Sequence, residues 1–268
     1  MKITEKESQY NNLSKMSFKQ IASSINKEDK KIAIALEKAT ENISKLSCQV
    51  HKKIKNGGRL FYIGSGTSGR LGILDASECP PTFGIKENIV IGIIAGGDKA
   101  IRNAVESAED DIDSGWNDLK NYNVTKKDIV IGISASGSTP YVIGALNSCK
   151  ESKITTGSIT CNNDNPIAKI SDFDIKLIMG PEFLTGSTRM KAGTAQKMCL
   201  NIITTSVFIK LGHVLDNKMI DMKISNKKLE NRAISLILEK TKLNKNKAKE
   251  MLKKFKSARI VIERELNK

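Results

Sequence analysis

The hydrophobic positions of the chain follow two periods, one helical and one extended. Between residues 17 and 55 apolar side chains such as Ile21 and Ile25 recur at steps of three and four, and Asn56-Gly57-Gly58 ends the run. From there the pattern changes to short apolar runs, each followed by glycine or hydroxyl residues and then by a helical stretch. The predicted strands are residues 59–64, 88–96, 128–134, 153–160 and 173–179.

Apolar strands that alternate with helices are typical of a parallel sheet covered on both faces. We therefore predict an α/β fold with a doubly wound, mostly parallel five-stranded sheet. After residue 186 the pattern is helical again, with a long buried helix that stops near Gly212, a helix around 224–240 and a last one from about Asn244. The predicted domains are an N-terminal helical lead-in, an α/β domain and a C-terminal helical segment, at residues 1–56, 57–222 and 223–268.

Composition and charge narrow the class of protein. The net charge of +15 comes mostly from lysines at both ends of the chain, and only 4% of residues are aromatic, so stacking platforms for bases are lacking. We interpret the lysines as solvated helix faces and predict no nucleic-acid partner. The five cysteines lack C-x-x-C spacing, which argues against a disulfide framework and a thiolate metal site. Without a long apolar segment, the chain is expected to be cytoplasmic and to have no membrane partner.

The run Gly64–Gly69 satisfies the G-x-G-x-x-G pattern of a strand-to-helix turn. A dinucleotide site also needs a carboxylate near the end of the second strand, and Asp98 matches that position only loosely. Ser65, Thr67 and Ser68 instead place three hydroxyls in front of a helix N-terminus, which favours a phosphate group.

A second hydroxyl-rich loop follows the third strand at residues 134–139, before Pro140, a residue suited to a first helical turn. Serine and threonine are also good helix caps, which explains either loop alone. Two such loops at the carboxyl ends of parallel strands favour a phosphate monoester on a polyhydroxyl ligand.

A third segment, residues 180–197, opens a long helix with hydroxyls and cations, including Arg189 and Lys191. Cations in a first helical turn oppose the helix dipole, which indicates an anion nearby. The three loops together supply the predicted substrate- and phosphate-binding set: Ser65, Gly66, Thr67, Ser68, Ser134, Ser136, Ser138, Thr139, Ser187, Thr188 and Lys191.

Four segments, 58–84, 95–111, 134–146 and 180–201, strongly resemble the N-acetylmuramic acid 6-phosphate etherases, a branch of the sugar isomerase (SIS) domain superfamily. The resemblance implies an SIS-type fold that binds a sugar phosphate, with no cofactor and no metal. It implies a homodimer with active sites near the interface. It also implies a carbon–oxygen lyase of peptidoglycan recycling or catabolism, which consumes water and leaves N-acetylglucosamine 6-phosphate and D-lactate.

Two carboxylates receive roles from this resemblance. Glu78 would be the proton donor to the lactyl ether oxygen, and Glu109 the base at C2 of the ring-opened sugar. Without the resemblance, the sequence places Glu109 on the acidic face of a helix together with Glu106 and Asp113. Glu78 is bracketed by apolar residues and prolines, surroundings that favour a protonated carboxyl.

Two departures from the family and two alternative functions remain open. Ser138 stands where relatives carry arginine, and the chain ends before a further helical segment that family members usually have. The only histidines, His51 and His213, offer little for a metal site or a proton relay.

The alternative functions are a non-catalytic sugar-phosphate-sensing regulator, which would not need the carboxylate pair, and an aldose–ketose isomerase, which would form ketose instead of lactate.

Overall fold

The structure is a computed structural model that describes residues 2–267. Five strands form one sheet in the order β2-β1-β3-β4-β5, and every neighbouring pair is parallel. The strands are β1 (Leu60–Gly64), β2 (Val90–Ile94), β3 (Ile129–Ile133), β4 (Thr155–Thr160) and β5 (Phe173–Lys176). Each lies within a run that the sequence predicts as a strand, and the predicted fold class is confirmed.

Both faces of the sheet are buried because helices cover each of them. Along β1, Leu60 and Tyr62 face one hydrophobic cluster, and Phe61 and Ile63 face another. The first cluster is closed by α1 (Phe18–Lys55), α2 (Gly66–Phe83) and α7 (Lys191–Lys210). On the other side lie α4 (Ser114–Asn121), α5 (Pro140–Glu151) and α6 (Pro166–Ile170), whereas α3 (Gly97–Arg102) follows β2 and contacts α2.

The N-terminal helix α1 forms as the hydrophobic period predicts. Ser17 and Gln20 form a capping box at its start, which satisfies free backbone amides, and Asn56 ends it. Its buried face packs mainly against α7, which is far away in sequence. These two helices, one from the N-terminal and one from the C-terminal half of the chain, therefore pack side by side over the same face of the sheet.

The C-terminal part holds more elements than the sequence predicts. A two-stranded antiparallel hairpin, β6 (Val214–Leu215) with β7 (Lys218–Met219), precedes α8 (Lys227–Lys240), α9 (Lys245–Phe255) and α10 (Ala258–Leu266). The single last helix expected from Asn244 is wrong, because Lys256 adopts a left-handed conformation and ends α9. These three helices surround a hydrophobic cluster of their own.

The strand order also determines where a ligand can enter. From β1 the chain moves to β2 on one side and then crosses to β3 on the other, so α2 and α5 pack on opposite faces of the sheet. Such a reversal separates the loops that follow β1 and β3 and leaves a crevice at the carboxyl ends of the strands.

Within residues 2–267, no helix combines the length and apolar character needed to cross a membrane.

Candidate functional site

The loop after β1 divides its hydroxyls between the crevice and the core. Ser65 occupies the N-cap position of α2, but its side chain does not cap the helix; its Oγ donates to Glu109 Oε2 at 2.8 Å. Gly66 is exposed with φ +50°, and Thr67 is half-buried. The buried Ser68 Oγ donates to Gln196 Oε1 at 2.9 Å, so it connects α2 to α7 and does not face the crevice.

Glu109 lies at the end of a short 3-10 turn, Glu106–Glu109, and its side chain is exposed. The helical repeat expected through Asp113 is wrong, because Asp111 Oδ1 accepts hydrogen bonds from the amides of Asp113 and Ser114 and so begins α4 there. Glu109 lines a cavity of about 240 Å³ whose other walls are Ser65, Gly66, Thr67, Arg70, Ala95, Ala100, Ala104, Val105 and Glu106.

The loop after β3 is a connected series of hydroxyls. Ser134 Oγ lies 2.8 Å from Thr139 Oγ1 and 3.2 Å from Ser136 Oγ, and Ser138 Oγ donates to Ser136 Oγ at 3.2 Å. Thr139 precedes α5 without capping it through its side chain. Neither Ser65 nor Thr139 therefore acts as the helix cap that would explain its hydroxyl without a ligand.

The third predicted segment turns its cation inward. Lys191 is 1% exposed, its Nζ donates to Glu28, and its backbone amide donates to Glu182 Oε2 at 3.0 Å. Burial raises the pKa of Glu182, although the amides of Lys191 and Ala192 oppose that shift. The anion indicated by the basic first turn is thus supplied by the chain's own carboxylates, which corrects the predicted substrate contact of Lys191.

Two hydroxyls of the third segment stay closer to the crevice. Ser187 and Thr188 are half-buried in the turn before α7. A Cβ built on Gly193, in the first turn of α7, would lie 3.1 Å from Thr67 Cγ2. The start of α7 therefore adjoins the loop after β1.

Glu78 lies far from these loops within one chain. It is exposed on α2, twelve residues after Gly66, which at 1.5 Å per residue is about 18 Å along the helix axis. Its neighbours Asp75 and Cys79 are buried, but Glu78 itself points away from the core. The enclosed apolar environment expected for Glu78 is thus not present in a single chain.

Sequence reasoning missed several polar residues at the site's edge. Asn162, directly beyond β4, donates to the carbonyls of Ala135 and Ser136 at 3.0 and 3.3 Å, and Lys2 Nζ donates to Ser138 Oγ. An asparagine at the carboxyl end of a parallel strand is a signal that could have identified Asn162. Lys2 had no such signal, because its segment has no hydrophobic period.

Asp75 and His213 have structural contacts, and His51 lies in a groove outside the crevice. Asp75 Oδ1 accepts from Asn201 Nδ2 at 2.7 Å and from Thr204 Oγ1 at 3.2 Å, and burial raises the pKa of its carboxyl. His213 Nδ1 lies 2.9 Å from Asp221 Oδ2, and His51 lines a groove between α1 and α7. Across residues 2–267 there is no group of three His, Cys, Asp or Glu side chains placed to hold a metal ion.

Comparisons with known proteins agree on one family. The model of the glucokinase regulatory protein N-terminal SIS domain matches residues 42–150, and the SIS domain model matches residues 113–206. An N-acetylmuramic acid 6-phosphate etherase of Christiangramia forsetii is 54% identical over 264 residues, covering 98% of this chain and 96% of the relative. Another from Bacteroides fragilis is 54% identical over 252 residues, covering 94% and 90%.

Solved structures share the fold at low identity. A putative phosphosugar isomerase involved in capsule formation from Bacteroides fragilis superposes with a TM-score of 0.56 at 18% identity, covering 73% of this chain and 94% of that one. A phosphoheptose isomerase from Francisella tularensis gives a TM-score of 0.54 at 16% identity, covering 71% and 99%. These likenesses confirm the SIS-type arrangement of sheet and helices.

Proposed function

The chain belongs to the N-acetylmuramic acid 6-phosphate etherases, and from this premise we propose how its residues divide the reaction. The protein is a carbon–oxygen lyase that cleaves the D-lactyl ether of N-acetylmuramic acid 6-phosphate, with N-acetylglucosamine 6-phosphate and D-lactate as products. We assign the base to Glu109 and the acid to Glu78, and we infer that each site is built by two subunits.

The reaction requires a base and an acid at neighbouring atoms. In the ring-opened sugar the proton on C2 lies beside the aldehyde, and Glu109 accepts it while the C2–H electron pair forms a C2=C3 bond. The C3–O bond breaks, and Glu78 protonates the departing oxygen so that D-lactate leaves. Water then adds its hydroxyl to C3 and a proton to C2. Each proton transfer contributes on the order of 10²- to 10⁴-fold in rate.

The hydrogen bond between Ser65 and Glu109 is the observation that carries the assignment of the base. It fixes Glu109 Oε2 beside a hydroxyl-rich loop at the carboxyl end of β1, where ligands of such sheets bind. The exposed carboxylate borders the cavity described above, and so a sugar in that cavity meets the second oxygen of Glu109.

The distance to Glu78 supports a site shared between subunits. C2 and C3 are bonded to each other, and C3 carries the ether oxygen. The base at C2 and the acid at the ether oxygen must therefore lie within a few ångströms of one another. Along α2 the two regions are about 18 Å apart in one chain. The cavity of about 240 Å³ is also smaller than the ~300–1,000 Å³ typical of ligand pockets. A homodimer in which one subunit contributes Glu109 and the other Glu78 resolves both observations.

We also propose that the enzyme works in the cytoplasm. Cys79, Cys149, Cys161 and Cys199 are buried and free, and Cys48 is free at the surface. Free thiols in these numbers are compatible with a reducing compartment.

Glu78→Ala and Glu109→Ala are each expected to abolish D-lactate release, because each removes one of the two proton transfers. Mixing the two inactive proteins under subunit exchange should restore activity to about a quarter of the wild-type value, since half of the dimers are mixed and each mixed dimer has one intact site. Lactate release by the single variants and by the mixture measures this.

The mixing experiment needs a folding control, and two results would contradict the proposal. Unchanged folding of each variant, checked by circular dichroism, is the control. A mixture without activity despite exchange would place both carboxylates in one subunit. A wild-type protein that binds the sugar phosphate without forming lactate, or forms a ketose from it, would contradict the etherase function.

A further inference from the structure

The segment preceding α1, residues 2–16, lies across two of the three loops described above. Thr4 is 3% exposed; its backbone amide donates to Asn162 Oδ1 at 3.3 Å, and Asn162 Nδ2 donates back to Thr4 Oγ1 at 3.0 Å. The same Asn162 amide group reaches the carbonyls of Ala135 and Ser136. One buried side chain therefore ties the segment to the loop after β3.

The segment is attached a second time at the turn before α7. Ser8 Oγ donates to the carbonyl of Phe183 at 2.7 Å, and the Ser8 amide donates to Thr185 Oγ1 at 2.9 Å. The Tyr10 ring packs on Phe183 with centroids 5.0 Å apart, and its hydroxyl donates to Glu28 at 3.2 Å. Anchors at both ends give residues 2–10 a defined course from the loop after β3 to the turn before α7.

Along this path the N-terminal segment places a positive charge beside the loop after β3, which contains no charged residue. Residues 134–139 contain only serine, alanine, glycine and threonine. The half-buried Lys2 donates from Nζ to Ser138 Oγ, which is linked through Ser136 to Ser134 and Thr139. An ammonium and four hydroxyls together form a donor set suited to a phosphate dianion.

We propose that Lys2 is a substrate-binding residue that contacts the 6-phosphate of the sugar. This inference rests on the proposed function, which places C2 beside Glu109. The lactyl group sits on C3, next to C2, and so stays near the loop after β1. The phosphate on C6 is at the far end of the sugar and reaches the neighbouring loop after β3, where Lys2 lies.

The test compares wild type, Lys2→Gln, Lys2→Arg and the matched control Lys6→Gln, an exposed lysine of the same segment. KM and kcat for lactate release are measured together with the inhibition constant of N-acetylglucosamine 6-phosphate, which carries the phosphate but no carboxylate. Lys2→Gln should raise both KM and the inhibition constant about tenfold, the usual loss for one charge-assisted hydrogen bond, with kcat nearly unchanged. Lys2→Arg should recover most of the affinity, and Lys6→Gln should behave as wild type.

Two results would overturn the proposal. If Lys2→Gln matches Lys6→Gln, Lys2 does not bind substrate. If KM rises while the inhibition constant stays constant, Lys2 contacts the lactyl carboxylate instead of the phosphate. Binding of N-acetylglucosamine 6-phosphate measured by calorimetry separates this inference from the proposed function, because it does not depend on turnover.

Discussion

At the scale of single residues, Asp128 joins the starts of two neighbouring strands. Its carboxylate accepts from the amide and Nε of Arg59 at 2.9 and 3.1 Å, from Arg59 Nη2 at 2.9 Å and from the amide of Thr125 at 2.8 Å. Burial raises the pKa of Asp128, but the hydrogen bonds from Arg59 and Thr125 outweigh burial and lower it overall. The ionised form is therefore stabilised by folding.

Asp128→Asn is expected to lower the free energy of unfolding by about 3 kcal/mol at pH 7, because a buried ion pair loses one partner. Since the pKa of folded Asp128 lies below the ~3.9 of an unfolded aspartate, its contribution is present above that value and is lost as pH falls through the folded value. The difference between wild type and variant should thus shrink between pH 7 and pH 3 in urea denaturation.

The matched control is Asp164→Asn, whose carboxylate is 83% exposed and pairs with an exposed lysine. It should cost less than about 1 kcal/mol. A difference for Asp128→Asn that stays constant on acidification would contradict the role assigned to its charge.

Residue patterns predicted part of the candidate site and could not have predicted the rest. Ser65 and the hydroxyls of 134–139 follow strands that the hydrophobic pattern identifies, so topology alone brings them to one edge of the sheet. Lys191 looked equally accessible in sequence. Its burial depends on Glu28, which lies 163 positions away, and no local pattern encodes that pairing.

At the scale of elements, the contact between Glu28 and Lys191 joins α1 to α7. The Glu28 carboxylate is 3% exposed and accepts from Lys191, from Lys31 at 2.8 Å and from the Tyr10 hydroxyl. Burial raises the pKa of Glu28, and the hydrogen bonds from Lys191 and Lys31 more than reverse that shift. The buried carboxylate of α1 and the buried ammonium of α7 thus compensate each other's charge.

Lys191→Met is expected to lower the free energy of unfolding by about 3 kcal/mol, because Glu28 is left buried without its main partner. The double variant Glu28→Gln with Lys191→Met should lose less than the sum of the single losses, by more than about 1 kcal/mol. Urea denaturation of the four proteins gives this coupling energy.

Lys31→Met serves as the comparison, since its side chain contacts the same carboxylate but is 39% exposed. Its loss should stay below about 1 kcal/mol. Strict additivity of the two core substitutions would mean that the helices do not depend on this pair.

The strands β1, β2 and β3 were predictable because each is a short apolar run, whereas β4 and β5 contain polar residues and were predicted from their place in the alternation of strands and helices. The break between α9 and α10 was not predictable, because Lys256 takes its left-handed conformation at φ +53° without glycine or proline to mark it. The one available signal was Ser257, whose side chain accepts from the amide of Ile260 and caps α10.

At the scale of the whole molecule, hydrophobic burial is divided between the sheet and the C-terminal helices. The two clusters on the faces of the sheet contain no residue of α8, α9 or α10, whose apolar side chains pack on one another. Polar contacts connect the two parts: the amide of Lys223 donates to the carbonyl of Pro81 in α2 at 3.3 Å, and Arg259 Nη2 donates to the carbonyl of Gly212, just after α7, at 2.5 Å. A second core of this kind favours partly independent unfolding.

Ile237→Ala, at a fully buried position of α8, is expected to cost the C-terminal core about 3 kcal/mol through the lost contacts and the cavity. Native-state hydrogen exchange should then be faster in α8, α9 and α10, whereas amides of β1 and β3 should keep their protection. Ile131→Ala, buried in the sheet, is the comparison that should accelerate exchange in the strands. Equal acceleration everywhere in the Ile237 variant would indicate a single cooperative unit.

The pairing of α1 with α7 has a consequence for the chain as it is synthesised. The partner of α1 begins 136 residues after its end, from Lys55 to Lys191, so at ~5–20 residues per second α1 waits on the order of ten seconds. During that interval its apolar stripe has no helix to cover it. Its other face carries exposed lysines, among them Lys19, Lys27 and Lys38, and a positive charge of this kind is expected to disfavour association between nascent chains. We therefore expect the lysines of α1 to keep the nascent helix from aggregating before α7 has been made.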